Sequence, residues 1–257
     1  MKISVIVPSR LAVNPAGVAA AASDVMADPK DRELYLERAL MSVKRQALPA
    51  GCQVEMVVGL DAGAVLPARF GDVRSANSDG TGQAKAVNAA VAASTGDVLA
   101  FLEDDDVWAG PKLSYQLPLL DSYAFVSSNQ REVDESGAWI RTNDFATPSG
   151  WVMPRTTWDA VGPMLEGWLH CDTEWLGRLN ATGLRRVHLV EKDAPMREWI
   201  VNVARRSQIG QTRERDPLVT RTHNPRGGMA SIASGARLEQ SQDEHAIMTE
   251  RFGAPPW

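Results

Sequence analysis

Glu103-Asp104-Asp105-Asp106 is where the chain concentrates its chemistry, and this run follows the apolar stretch Val98-Leu99-Ala100-Phe101-Leu102 without a break. Adjacent carboxylates at the end of a buried strand lose hydration and repel one another, so they need a neutralising partner. A hard divalent cation meets that need, because Mg2+ and Mn2+ take carboxylate oxygens and keep positions open for phosphate oxygens. The ordinary use of an acidic run is a solvated loop. Here Val107-Trp108 presses against the far end, and apolar residues on both sides favour a metal-binding site over a surface loop. A second acidic pair, Asp172 and Glu174, opens an apolar segment from Leu169 to Leu179 that reads as a helix. Residues two apart on a helix point in different directions, so at most one of the pair faces any given ligand.

The elements that position these acids can be read along the chain. Ile3-Ser4-Val5-Ile6-Val7 is a β-branched run stopped by Pro8, as expected of a fully buried parallel strand. Residues 11–28 read as a long Ala-rich loop with a helical piece near Val18–Met26. A helix follows to about Gln46, capped by Asp28, with Pro29 in its first turn and Leu36, Leu40 and Val43 at helical spacing. Val54–Val58 is a second strand leading to Asp61, a short strand is expected near Val73, Ala84–Ala93 is a helix, and Asp97–Leu102 is the strand before the acids. This alternation implies a parallel sheet with helices on its faces, whose ligands lie beyond the strand carboxyl ends. Pro8-Ser9-Arg10, Asp61 and the acidic cluster all fall at such ends.

Beyond residue 110 the pattern loosens. Tyr123–Ser127, Trp139-Ile140, Trp151–Met153 and Arg186–Val190 read as strands, 197–209 and Gln240–Phe252 as helices, and 210–235 as a long loop. The expected organisation is a first half over 1–110 that carries the strand-end acids, a second half of the same domain over 111–200, and a C-terminal loop and helix region over 201–257.

The 257 residues are 44% hydrophobic with a net charge of −5, which fits one large globular domain and gives no global case for nucleic-acid binding. Two cysteines, Cys52 and Cys171, make no disulfide framework. The N-terminal apolar run is too short for a signal-peptide core, and no window has the length to span a bilayer. A soluble, cytoplasmic protein is expected.

The segments around the acids resemble family 2 glycosyltransferases, which have the A-type glycosyltransferase fold. Phe101–Trp108 is similar to that family's acid-x-acid motif, Ile3–Arg10 to its first strand and nucleotide loop, Tyr35–Val43 with Gln46 to its first helix, and Gly82–Asn88 with Ala93–Asp97 to the helix and turn before the acids. The departures are Glu103 at the first acidic position, Val87 where the family often has Arg, Leu60-Asp61 in place of paired aspartates, and the long loop at 11–30. The resemblance implies an α/β fold: a single A-type (Rossmann-like) domain with a mostly parallel sheet flanked by helices, a mixed acceptor-side extension, and a helical and loop C-terminal region. It implies transfer of a sugar from a nucleoside-diphosphate sugar, UDP-linked by expectation, to an acceptor hydroxyl with inversion, assisted by Mn2+ or Mg2+.

Carried over residue by residue, the resemblance implies that Pro8, Ser9 and Arg10 form the nucleotide loop and Asp61 contacts the nucleoside. Asp105 is then the first candidate for direct metal ligand, with Glu103 and Asp104 on the ribose or metal-bound water and Asp106 able to replace one of the metal-side acids. Asp172 matches the general base, with Glu174 beside it, and Leu165–Leu169 matches an acceptor-side wall. His223, in a late basic loop with Arg221 and Arg226, is a candidate to complete the metal shell, and Lys85 or the late arginines are candidates for phosphate contacts. Trp139, Trp151 and Trp168 could stack on a sugar, although core packing is the default for Trp. The acceptor stays open between a glycan, a lipid carrier, a small molecule and a modified base of nucleic acid. Two other readings are a non-catalytic nucleotide-sugar module and a nucleotidyltransferase, the latter on a faint glycine-rich loop at Asp79–Gly82.

Overall fold

β1 (Lys2–Ser9) runs at the middle of an eight-stranded sheet, and its alternate side chains feed two separate cores. Ile3, Val5 and Val7 point to one face, where Leu36, Ala39, Leu40 and Val43 of α1 (Pro29–Lys44) cover them, while Ile6 points to the other. The same alternation holds in β2 (Gln53–Leu60), with Val58 and Leu60 on the α1 side and Val57 opposite. It holds again in β4 (Val98–Phe101), where Val98 and Ala100 face α1 and Leu99 and Phe101 face away. Burial on both faces explains why these strands are continuously apolar in sequence. The structure, a computed structural model, describes residues 1–11, 29–134, 136–191, 209–215, 218–222 and 236–253.

β3 (Arg74–Asn77), β2, β1 and β4 pair in parallel, and α2 (Gln83–Ala93) crosses between β3 and β4. The sheet then admits one antiparallel strand, β9 (Val152–Pro154), between β4 and β6 (Phe125–Ser128), and continues in parallel through β10 (Arg186–Glu191) to β11 (Ile209–Arg215). A second, four-stranded sheet stacks β5 (Asp106–Trp108), β12 (Val219–Thr222), β7 (Gln130–Val133) and β8 (Trp139–Asn143) in that order. The fold is therefore a mixed α/β arrangement with a mostly parallel central sheet flanked by helices. Strand β11 and strand β12 replace part of the loop expected over 210–235, because each finds an open edge to pair with. The helical expectation at Val18–Met26 lies outside the described residues, as does that at 197–209 except for its last residue, Ile209, which opens strand β11 instead.

Behind the sheet, α3 (Lys112–Gln116), α4 (Arg155–Val161), α5 (Cys171–Ala181) and α6 (Ala236–Phe252) complete the layers. α4 and α5 bring Trp158 and Trp175 onto Phe101, Phe125 and Trp151, with the Trp151–Trp175 rings 5.1 Å apart and the Trp158–Trp175 rings 5.4 Å apart. Trp151, just before β9, is thus a core residue, the default expected of it, and not a sugar platform. Cys52 and Cys171 are free thiols. No helix among the described residues is long and apolar enough to cross a membrane.

Candidate active site

The carboxyl ends of β1, β2 and β4 open onto a cavity of about 400 Å3. Pro8, Ser9 and Arg10 line it from β1, Asp61 from β2, and Glu103, Asp104 and Asp105 from the turn after β4. Thr81 to Ala86 supply the α2 side, Gly167, Trp168 and Leu169 the opposite wall, and Arg237 and Gln240 of α6 the rim. Each group arrives there for a local reason. Pro8 ends the first strand, so the chain turns out at Ser9, whose hydroxyl donates to Asp104 Oδ2 at 2.6 Å. Asp61 is buried, and its Oδ1 accepts the Gly82 N–H at 2.9 Å, with the Arg10 guanidinium 3.7 Å from Oδ2. Gly82 holds φ at +119°, a backbone conformation open to glycine and rarely to others, and so carries the loop into the first turn of α2.

The acids form a stack of negative charge with graded exposure. Glu103, Asp104 and Asp105 are half-buried against the cavity, and Asp106 is fully buried. Burial first, then the charges of Asp105, Asp172 and Asp104, push the Glu103 carboxyl up to about 7 against the opposing pull of Arg221. Asp105 is raised by burial against the same arginine. Asp106 is raised well above the carboxylate range by burial, Asp105 and Glu103. Gln83 Nε2 donates to Glu103 Oε1 at 3.1 Å, and the Ser149 hydroxyl accepts the Glu103 N–H at 3.0 Å while donating to Asp106 Oδ2 at 2.5 Å. Oδ1 of Asp106 is buried with no hydrogen-bond partner. For Arg221 burial alone would lower the pKa, but Glu103, Asp106, Asp105 and Glu132 outweigh it and hold it above its ordinary value.

Asp172 stands half-buried in the first turn of α5, where its Oδ1 accepts the Thr173 amide at 2.8 Å and the Thr173 hydroxyl at 3.3 Å. It is not one of the cavity's walls, yet its charge reaches Glu103. Glu174 is 1% exposed, and both its oxygens accept the Arg178 Nε–H at 2.9 Å one helical turn on. The pair expected on sequence grounds is therefore divided: Asp172 approaches the acids, and Glu174 is turned into the protein and spent on Arg178. Asp106 is likewise placed in β5 and bonded to Ser149, away from the cavity walls. Lys85 lines the cavity with its ammonium 2.7 Å from Asp79 and 3.2 Å from Glu166. Trp168 lines it as well, while Trp139 is 64% exposed on β8. His223 and Arg226 lie outside the described residues.

A divalent cation is the group these acids suggest. Among the described residues no three Asp, Glu, His or Cys side chains gather into a metal shell. What the cavity offers is the carboxylates of Glu103, Asp104 and Asp105, all oxygen donors, with Glu103 raised by burial and by its acidic neighbours and Asp105 raised by burial. That donor set fits a cation of the Mg2+ or Mn2+ kind, which binds through one or two carboxylates and takes its remaining ligands from phosphate oxygens and water.

Arg237 and Gln240 escape the sequence reading. They come from a helix more than 130 residues downstream of the acids, and its start is placed at Gln240 when only the later apolar spacing is followed. Leu238, Ser241 and Met248 continue the helical pattern back to Ala236 and are the signal that could have found them.

The sheet order and the cavity at the strand ends are those of the A-type glycosyltransferase fold. TarS of S. aureus, residues 1–349 in complex with UDP-GlcNAc, superposes with a TM-score of 0.65 at 14% identity, covering 98% of this chain and 66% of that one. Full TarS superposes with a TM-score of 0.57 at 13% identity over 98% of this chain and 44% of its own. The chain thus spans just under two thirds of the shorter TarS and less than half of the whole. Among curated proteins none matches the sequence. The profile of Glycosyl transferase family 2 matches residues 30–161, half of the chain, and the protein belongs to that family.

Proposed function

We propose that the chain transfers a sugar from a nucleoside-diphosphate sugar, UDP-linked, to an acceptor hydroxyl with inversion at the anomeric carbon. The observation that carries this reading is the convergence of Ser9, Asp61, Glu103, Asp104 and Asp105 from three strand ends on one cavity. Pro8, Ser9, Arg10 and Asp61 hold the nucleoside, and Lys85 and Arg10 stand beside the diphosphate. The likeness to the TarS structure solved with UDP-GlcNAc supports a UDP-sugar as donor.

Asp105, with Glu103 or Asp104, would hold Mn2+ or Mg2+, which when bound neutralises the diphosphate and stabilises it as a leaving group. The rest of the chemistry belongs to the chain. Asp172 takes the proton of the acceptor hydroxyl as its oxygen bonds to the anomeric carbon and the bond to the nucleoside diphosphate breaks. Trp168 and Leu169 shield the reacting face from water. Glu174, committed to Arg178, holds the helix that presents Asp172 and does not touch substrate.

Calorimetric titration of UDP-sugars, each with Mn2+ and with chelator, tests the reading. Saturable binding that needs the cation is expected, and it weakens at least tenfold in Asp105→Ala. Absence of binding by every nucleotide sugar at saturating Mn2+ overturns the assignment.

A further inference from the structure

We propose that Glu244 of α6 is a positioning residue for the transfer, holding in place the loop that walls the cavity and leads into Asp172. The proposal rests on the functional reading above and adds a residue that no motif of the family segment contains, since it lies outside residues 30–161.

The loop 166–170 anchors to α6 through successive backbone groups. Glu244 Oε1 accepts the Leu169 N–H at 2.9 Å and Oε2 accepts the His170 N–H at 2.9 Å. Gln240 Nε2 donates both to Gly167 O at 2.9 Å and to Glu244 Oε1 at 2.8 Å, which fixes the carboxylate in turn. The His170 ring shares a 2.8 Å hydrogen bond with Ser241 Oγ and packs 4.5 Å from the His245 ring. Gly167, Trp168 and Leu169 are cavity walls, and His170 is the N-cap of α5. In a capping box the N-cap N–H is satisfied by a Glu or Gln three residues on in the same helix. That position is Thr173, and Glu244 supplies the carboxylate from another helix instead. The N-terminus of α5, and with it Asp172, is therefore oriented by a residue 74 positions away in sequence.

These bonds are separable from the packing that docks α6. Met248 is 2% exposed, and Phe252 lies so close to Gly177 that a Cβ there would meet its ring at 2.4 Å. The apolar contacts keep the helix in place when the carboxylate is changed. What is then lost is the register of the loop, and an error of about 1 Å in the placing of a reacting group is worth roughly a hundredfold in rate.

Glu244→Gln tests this, because it keeps the volume but sets an NH2 group against a backbone N–H. Hydrogen exchange at Leu169 and His170 should quicken about tenfold or more while amides in β1 and β4 keep their protection. Transfer kcat should fall about ten- to a hundredfold with donor affinity unchanged, because the donor is held by β1, β2 and α2. Wild-type exchange at both amides, a wild-type kcat, or a loss of donor affinity matching the loss of kcat each overturns the proposal. Should Glu244→Gln fail to fold, Ser241→Ala, which lies off the cavity, removes the hydrogen bond to the His170 ring, with the same signature expected in smaller degree. The exchange measurement needs no substrate: a wild-type protein that binds no sugar nucleotide defeats the functional reading and leaves the loop anchor to be judged by itself.

Discussion

Arg221 of β12 and Asp106 of β5 sit directly opposite one another across an antiparallel pair. Opposed residues on such a pair share a face, so the guanidinium stands beside the acidic segment and reaches Glu132 Oε1 at 3.8 Å. Glu103, Asp106 and Asp105 all feel its charge. Arg221 is the internal cation that makes so many buried acids tolerable before any ligand arrives.

Arg221→Met should therefore destabilise the protein in chelator, by about 2–3 kcal/mol, since it strands buried acids without a partner. For a chain of this size that is a fall in Tm of roughly 5–10 °C. Mn2+ should restore more of the Tm in the variant than it adds to the wild type. Thermal unfolding with and without Mn2+ measures both quantities, and equal gains in the two proteins would show that Arg221 and the cation do not share the acids.

Asp172→Asn separates binding from transfer. The carboxamide keeps the hydrogen bond that Oδ1 accepts from the Thr173 amide, so the helix start survives. It cannot take a proton, and kcat should fall by about two to four orders of magnitude with the donor dissociation constant unchanged. Retention of full transfer would move the base elsewhere.

The legible part of this protein is the part whose constraints are local. Ile3–Val7 and Val98–Leu102 are apolar at every position because both sheet faces are covered, and strand ends carrying Ser9, Asp61 and Glu103 follow from that pattern. What the sequence hides depends on partners far along the chain. Asp172 and Glu174 look alike as acids in a first helical turn, and only the packing of α5 shows that Glu174 meets Arg178 while Asp172 approaches Glu103. Glu244 and Gln240 read as solvated helix residues, and their work is done on backbone groups about 73–75 residues back. Strand β12 is a short polar stretch inside Gly- and Arg-rich sequence, and it becomes a strand because β5 and β7 leave a gap that it fills.

Gly59 governs how closely α2 lies on the sheet. A Cβ there would stand 2.0 Å from the Ala86 carbonyl oxygen and 2.7 Å from its carbon, both backbone atoms that cannot swing aside. Gly59→Ala must push α2 outward, and overpacking of this kind costs about 1–3 kcal/mol or more. Because α2 carries Gln83 and Lys85 into the cavity, donor affinity should weaken together with the denaturation midpoint. Urea unfolding and titration of the same preparation test the linkage, and a stable variant with intact affinity would refute it.

Lys112 offers the opposite case, a charge-bearing group whose removal should do no harm. Its side chain is fully buried, with Nζ 4.1 Å above the Trp108 ring and donating to Gln116 Oε1 at 2.5 Å. Burial alone holds its pKa well below the ordinary 10.5. The unfolded chain therefore binds a proton that the folded chain resists, and stability rises with pH from the depressed folded value up to about 10.5. Lys112→Met fills the same space without that penalty, so at neutral pH the variant should equal or exceed the wild type in stability. The difference should shrink as pH approaches the unfolded value, because the wild-type lysine is then neutral in both states. Chemical denaturation of both proteins across pH 6–10 measures the convergence. A variant less stable than wild type throughout would show that the Lys112–Gln116 bond contributes more than the buried amine costs.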